Sequence, residues 1–130
     1  MNQYLLRNQL FLNINKCKVM SFHRKRSPVL FDYNIHNESL GRVYELKDLG
    51  VIFDPSFRFV RHIDFIVNKA YSMLGFIMRI CADFTAASVF LSLYFAYVRS
   101  HLEYAAAIWN PNYDVHVQRI ESVQKSFYSF

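Results

Sequence analysis

Apolar residues recur along this chain with two periods, and the period changes at Asp54-Pro55. Upstream lie short stretches rich in β-branched and aromatic residues at 19–22, 29–33, 34–36, 42–46 and 51–53, punctuated by polar turns. That pattern predicts a small antiparallel sheet or a pair of hairpins. Gly41 and Gly50 mark tight places, and Asp54-Pro55 ends the strand region because proline cannot donate to a ladder. Downstream, Ile63, Ile66, Val67, Ala70, Met73, Leu74, Ile77 and Ile80 fall at spacings of three and four, which predicts one long amphipathic helix over about 59–82. Asp83 and Thr85 are suited to cap a second helix over about 86–107, with Val89, Phe90, Leu93, Tyr97 and Leu102 among its apolar positions. Pro111 stops it. A third helix over about 113–127 carries Val117, Ile120, Val123 and Phe127 on one side and Arg119, Glu121 and Lys125 on the other. The expected class is α+β: a hairpin-rich region over 1–55, then a three-helix bundle over 56–130 whose apolar stripes bury one another.

Composition supports a packed domain: of 130 residues, 53% are apolar and 18% aromatic, with three glycines, three prolines and no repeat or low-complexity run. The net charge of +5 is unevenly spread, since Arg7, Lys16, Lys18, Arg24, Lys25 and Arg26 all precede the first acidic residue, Asp32. Such a basic surface attracts polyanions through counterion release, or is a solvated loop. Cys17 and Cys81 are isolated thiols, which suggests neither a zinc site nor a disulfide framework and fits a reducing compartment. The longest apolar run, over 86–98, is 13 residues including two serines, short of the roughly 20 that span a bilayer. The N-terminus lacks the apolar core of a signal peptide. The expectation is an intracellular protein of nucleus or cytoplasm, neither secreted nor transmembrane, with no membrane partner.

Candidate chemistry is sparse. No glycine-rich phosphate loop, HExxH or GxSxG is present, and the five histidines at 23, 36, 62, 101 and 116 are scattered. Ser100 and His101 are adjacent on a helix, where successive side chains point about 100° apart, so they do not form a nucleophile–base pair. The ten acidic residues are spread singly, without the arrangement that holds two divalent ions for phosphoryl transfer, so no metal site is expected.

Three ordered segments carry a family resemblance. Leu12-Asn13-Ile14-Asn15-Lys16-Cys17-Lys18-Val19-Met20-Ser21-Phe22 resembles the LNxxKTKVMxF segment that follows the catalytic FxDD box in reverse transcriptases of non-LTR (LINE-type, jockey-like) retrotransposons. Leu46-Lys47-Asp48-Leu49-Gly50-Val51-Ile52-Phe53-Asp54 resembles the family's YLGVxxD hairpin, with Phe57, His62 and Ile63 at the usual offsets. Leu93-Tyr94, then Val98-Arg99-Ser100-His101-Leu102-Glu103-Tyr104-Ala105, Trp109, Pro111, Ile120 and Gln124 resemble the thumb signature.

The resemblance implies a fragment of an RNA-directed DNA polymerase: the end of the palm over 1–55 and the thumb over 56–130, holding an RNA template and DNA primer as a hybrid. Lys16 would be the general acid that protonates the pyrophosphate leaving group. Lys18, Arg24, Lys25 and Arg26 would form a nucleic-acid-binding arm, the hairpin over 46–51 a primer grip with Leu49 and Gly50 as its contacts, and Arg58, Arg61, Lys69 and Arg79 the thumb contacts to the duplex backbone. Glu103, Tyr104 and Trp109 would belong to the thumb core and its polar fastening. Two positions depart from the pattern: Cys17 stands where the family has Thr, and Asp48, where it has Tyr, places negative charge beside a primer phosphate. The family's fingers and FxDD box lie upstream of the matched segments. The resemblance thus leads to the expectation of no cofactor in this chain, magnesium belonging to the complete enzyme, of inactivity alone, and of a palm-facing surface prone to self-association. Two other readings fit the same residues: a domesticated nucleic-acid-binding module, and a helical protein-interaction domain with no nucleic-acid role.

Overall fold

A computed structural model describes residues 7–8, 12–83, 87–111 and 113–129. It is α+β, as the periodicity predicts. Of the two expected caps for the second helix, Thr85 lies outside the described residues, as does the side chain of Asp83. The chain divides into two compact units, Met1–Leu46 with Asp54–Ser56, and Lys47–Phe53 with Phe57–Phe130. Lys47–Phe53, expected to belong with the N-terminal region, is thus part of the helical unit.

The first unit holds β1 (Lys18–Val19), β2 (Asn34–Ile35), β3 (Glu38–Ser39) and β4 (Gly41–Arg42). β2 and β3 form an antiparallel hairpin with Asn34 opposite Ser39. Its two-residue loop, His36-Asn37, has positive φ at both positions (50° and 64°), the geometry that matches strand twist. β1 pairs with β4 in parallel, Lys18 opposite Gly41, where an antiparallel sheet was expected. The reason is topological: the β2–β3 hairpin sits inside the connection and returns the chain in the same direction. Arg42 braces this crossover by donating to the Ser21 hydroxyl and the Phe31 carbonyl. Residues 29–33 form no strand. No described residue of this unit is buried.

The second unit holds the core. β5 (Leu46–Asp48) and β6 (Val51–Phe53) are joined by Leu49-Gly50. α1 (Val60–Ile80) buries His62, Ile63, Ile66, Val67, Ala70, Leu74 and Ile77, the stripe that spacings of three and four require. Each fully buried aliphatic side chain contributes about 1.5–3 kcal/mol relative to its exposed state. The expected second helix starts as α2 (Ala87–Leu93), widens into a π-helical turn over Tyr94–Arg99 and closes as α3 (Ser100–Glu103). It stops short of the expected end because Ala105 adopts a left-handed φ of 53°. A short α4 (Ala106–Trp109) and the long α5 (Asp114–Tyr128) follow. α5 packs on α1, bringing Val123 and Phe127 into the core, where Phe127 stacks on Phe90 and Tyr94 at 5.0 and 4.0 Å between ring centres. Arg119 of α5 pairs with Asp64 of α1, and the Tyr71 and Ser122 hydroxyls bond at 2.8 Å.

Candidate functional site

A two-residue connection forces the β5–β6 chain through a tight reversal, and Leu49 and Gly50 both take positive φ (45° and 83°). Glycine accepts that conformation without steric cost and leucine does not. Leu49 is held in place: the Tyr104 hydroxyl, reaching from the end of α3, donates to its carbonyl at 2.9 Å. A Cβ on Gly50 would come within 3.2 Å of the Tyr104 ring, a tight approach that adds to the preference for glycine set by φ. Tyr104 is anchored in turn by Trp109, buried in the core, whose indole N–H donates to the Tyr104 carbonyl at 2.7 Å. Trp109 thus sits in the core and the exposed Tyr104 fastens the turn, whereas Glu103 is an exposed partner of Arg99.

Beside the fastened turn lies a cleft of about 360 Å³ lined by Lys47, Gly50, His62, Phe65, Ile66, Lys69, Ser100, His101 and Tyr104. None of these is acidic. Lys47 extends over the Phe65 ring, 4.5 Å from its centre. Among the described residues neither Lys47 nor Lys69 has a carboxylate at ion-pair distance, unlike Arg99, Arg119 and Lys125. His62 is fully buried, edge-on to Trp109, and its Nδ1 accepts the Ile52 backbone N–H at 3.3 Å. The neutral ring therefore carries its proton on Nε2, a buried atom without a partner. Burial, and then the charge of Lys47, push the His62 pKa below its ordinary value. Burial and Lys69 do the same to His101. Burial first, and then the neighbouring lysines, thus disfavour the charged form of both imidazoles, and the lysines make the cleft suited to an anion.

Of the residues the sequence singled out, Gly50 and Lys69 line this cleft and Leu49 forms the turn beside it. Lys16, Lys18, Arg24, Lys25 and Arg26 are exposed in the first unit, Lys16 closing a single 3-10 turn. Arg58 lines a different cavity, with Val60, Tyr113, Val115 and His116. Arg61 and Arg79 stand near opposite ends of α1, about 27 Å apart at the rise of an α-helix, and share no local site. Asp48 is exposed on β5 and does not line the cleft. Sequence reasoning missed His62 and His101, and placed Lys47 inside the primer-grip hairpin without naming it as a contact. The signal for Lys47 was present, since it lies two residues before the turn, but the histidines are scattered in sequence and only α1 and α3 bring them together. Ser100 and His101 both face the cleft without pairing with each other: the Ser100 hydroxyl donates to the Ala96 carbonyl at 2.5 Å.

Among the described residues no three His, Cys, Asp or Glu side chains gather to hold a metal ion. No described helix is long and apolar enough to cross a membrane. No family model and no solved structure matches the chain. An uncharacterized protein of Caenorhabditis elegans is 32% identical over 85 residues, which make up 65% of this chain. The chain spans about two-fifths of that relative's length, the aligned part being 42% of it.

Proposed function

We propose that the chain is the duplex-holding part, end of palm and thumb, of a retrotransposon-type reverse transcriptase, and that it binds an RNA/DNA hybrid without extending the primer. The observation that carries this reading is the fastened Leu49-Gly50 turn beside a cleft with two unpaired lysines and no acid. A rigid turn fixes backbone close to a ligand, and lysines reach a phosphate as point charges without reading sequence. Lys16, Lys18, Arg24, Lys25 and Arg26 add a second cationic surface on the other unit. The chemistry of nucleotide addition needs metal-binding carboxylates, which in the resembled enzymes come from upstream segments.

The test is fluorescence anisotropy of a labelled RNA/DNA hybrid titrated with the full chain at several salt concentrations. Affinity is expected to fall steeply with salt, its logarithmic slope growing by about 0.9 for each phosphate neutralised. Lys47→Glu with Lys69→Glu should lower affinity by at least tenfold, and magnesium-dependent primer extension should be absent. No affinity for the hybrid, or affinity indifferent to both the salt and the double substitution, overturns the reading in favour of a helical protein-interaction domain.

A further inference from the structure

The cleft has a charge imbalance that a duplex-holding role does not by itself require. Lys47 enters from β5, His62 and Lys69 from α1 and His101 from α3, with the Ser100 and Tyr104 hydroxyls beside them. These are all the ionisable and hydroxyl groups lining it, and no carboxylate offsets them. His62 Nε2 is a buried N–H donor with no partner among the described residues, and leaving a buried donor unpaired carries a free-energy cost. Such a cost, together with two cations facing a cavity, is relieved by an oxygen-rich anion.

We propose that this cleft seats one tetrahedral oxyanion of the phosphate or sulfate type, bound by Lys47, Lys69 and the His62 Nε2–H, and that His101 takes up one solvent proton as the anion enters. After burial, the Lys69 charge disfavours the His101 imidazolium, and an anion seated between them offsets that charge, so the ring takes up a proton more readily. Lys47 leaves the Phe65 face to meet the anion. Binding of the free ion rests on the cleft alone. Its identification with a backbone phosphodiester rests on the reading proposed above.

Sulfate separates proton uptake by the protein from protonation of the ligand, because it stays dianionic from pH 5.5 to 8. The full chain is titrated with sodium sulfate at constant ionic strength, following the histidine ring C–H resonances by NMR and the affinity by calorimetry in buffers of different ionisation heat. The expected result is a His101 pKa raised by about one pH unit in the complex. Affinity then grows by about tenfold in all as pH falls through the bound and free values. His101→Gln should flatten that slope while retaining sulfate binding at pH 8. Lys69→Gln should weaken binding at every pH and raise the His101 pKa of the free protein. Both positions lie outside the buried core, and unchanged helical circular dichroism verifies folding.

Sulfate that leaves His101 untouched, or binding unchanged by Lys47→Gln and Lys69→Gln, overturns the proposal. The RNA/DNA hybrid arm separates the two ligand sources. Sulfate competing with the hybrid, with the same His101 response to both, supports a shared seat. Sulfate binding as described without hybrid binding keeps the seat and removes the template–primer reading. Hybrid binding that neither shifts His101 nor yields to sulfate does the reverse.

Discussion

Gly50 is the residue on which the turn depends most. Its φ of 83° and the Tyr104 ring 3.2 Å from a notional Cβ act in the same direction. Gly50→Ala must strain the left-handed backbone, at about 1–2 kcal/mol, and push the ring away. Tyr104→Phe tests the other half of the device: losing the hydroxyl bond to Leu49 should cost about 1 kcal/mol. Urea unfolding of both variants checks this, and a Gly50→Ala midpoint equal to the parent's would contradict the turn geometry. His62 gives a prediction in pH. The unfolded chain protonates this imidazole near its ordinary value of 6.5, while burial and then Lys47 keep the folded ring neutral at lower pH. Below 6.5 the unfolded state therefore binds more protons, so this part of the stability is whole above 6.5 and is lost as pH falls toward the depressed folded value. His101 has the same sign, with less burial. Denaturant midpoints should drop between pH 7.5 and 5.5, and the drop should shrink in His62→Asn. A midpoint flat over that range would show that His62 titrates freely.

At the scale of elements, the helices were legible and the ladders were not, for a physical reason. α1 and α5 each carry many repeats of a 3.6-residue period, and burial of the whole stripe enforces one orientation, so their expected and observed bounds differ by a few residues. The strands of the first unit are two residues long, too short for alternation to choose a face or a partner, and the parallel pairing of β1 with β4 depends on a chain reversal that no local pattern states. The β5–β6 turn was foreseen from Gly50, but Leu49 at positive φ was not, since its stability comes from Tyr104, 55 positions away. The π-helical turn was equally hidden: it buries Tyr94 and Val98, and Tyr94 stacks on Phe127. That stack joins three elements, so Phe127→Ala should cost about 3–5 kcal/mol, and more than truncating the exposed Phe76 of α1. Thermal unfolding compares the two directly. Equal losses would mean that α5 does not close the core.

The whole molecule is unequal in its two parts. Every buried residue of the core belongs to the unit of Lys47–Phe53 and Phe57–Phe130, while the other unit has no buried residue among those described. Its ordered features are two-residue ladders, the Arg42 bonds and the His23 N–H to Pro55 carbonyl bond at 2.8 Å, each open to competition from water. Two-stranded ribbons without an apolar face are marginal in water. This unit also exposes Phe22, Val29, Leu30, Phe31, Tyr33 and Tyr44, close in sequence to Arg24, Lys25 and Arg26. Apolar rings beside cations suit a surface completed by another body, and in the proposed reading that body is the rest of a palm with its duplex. Hydrogen exchange on the free chain separates the parts: amides of Leu40 and Val43 should exchange through local opening, orders of magnitude faster than those of Ile66, Val67 and Val123, which require global unfolding. Addition of an RNA/DNA hybrid should then slow exchange in the first unit, because bound phosphates organise the arm carrying Lys18, Arg24, Lys25 and Arg26. If Leu40 and Val43 were as protected as α1 without a ligand, the unit would be stable in its own right and would need no partner to order it. If the hybrid protected only the amides around Leu49 and Gly50, nucleic acid would engage the cleft while the basic arm served another purpose.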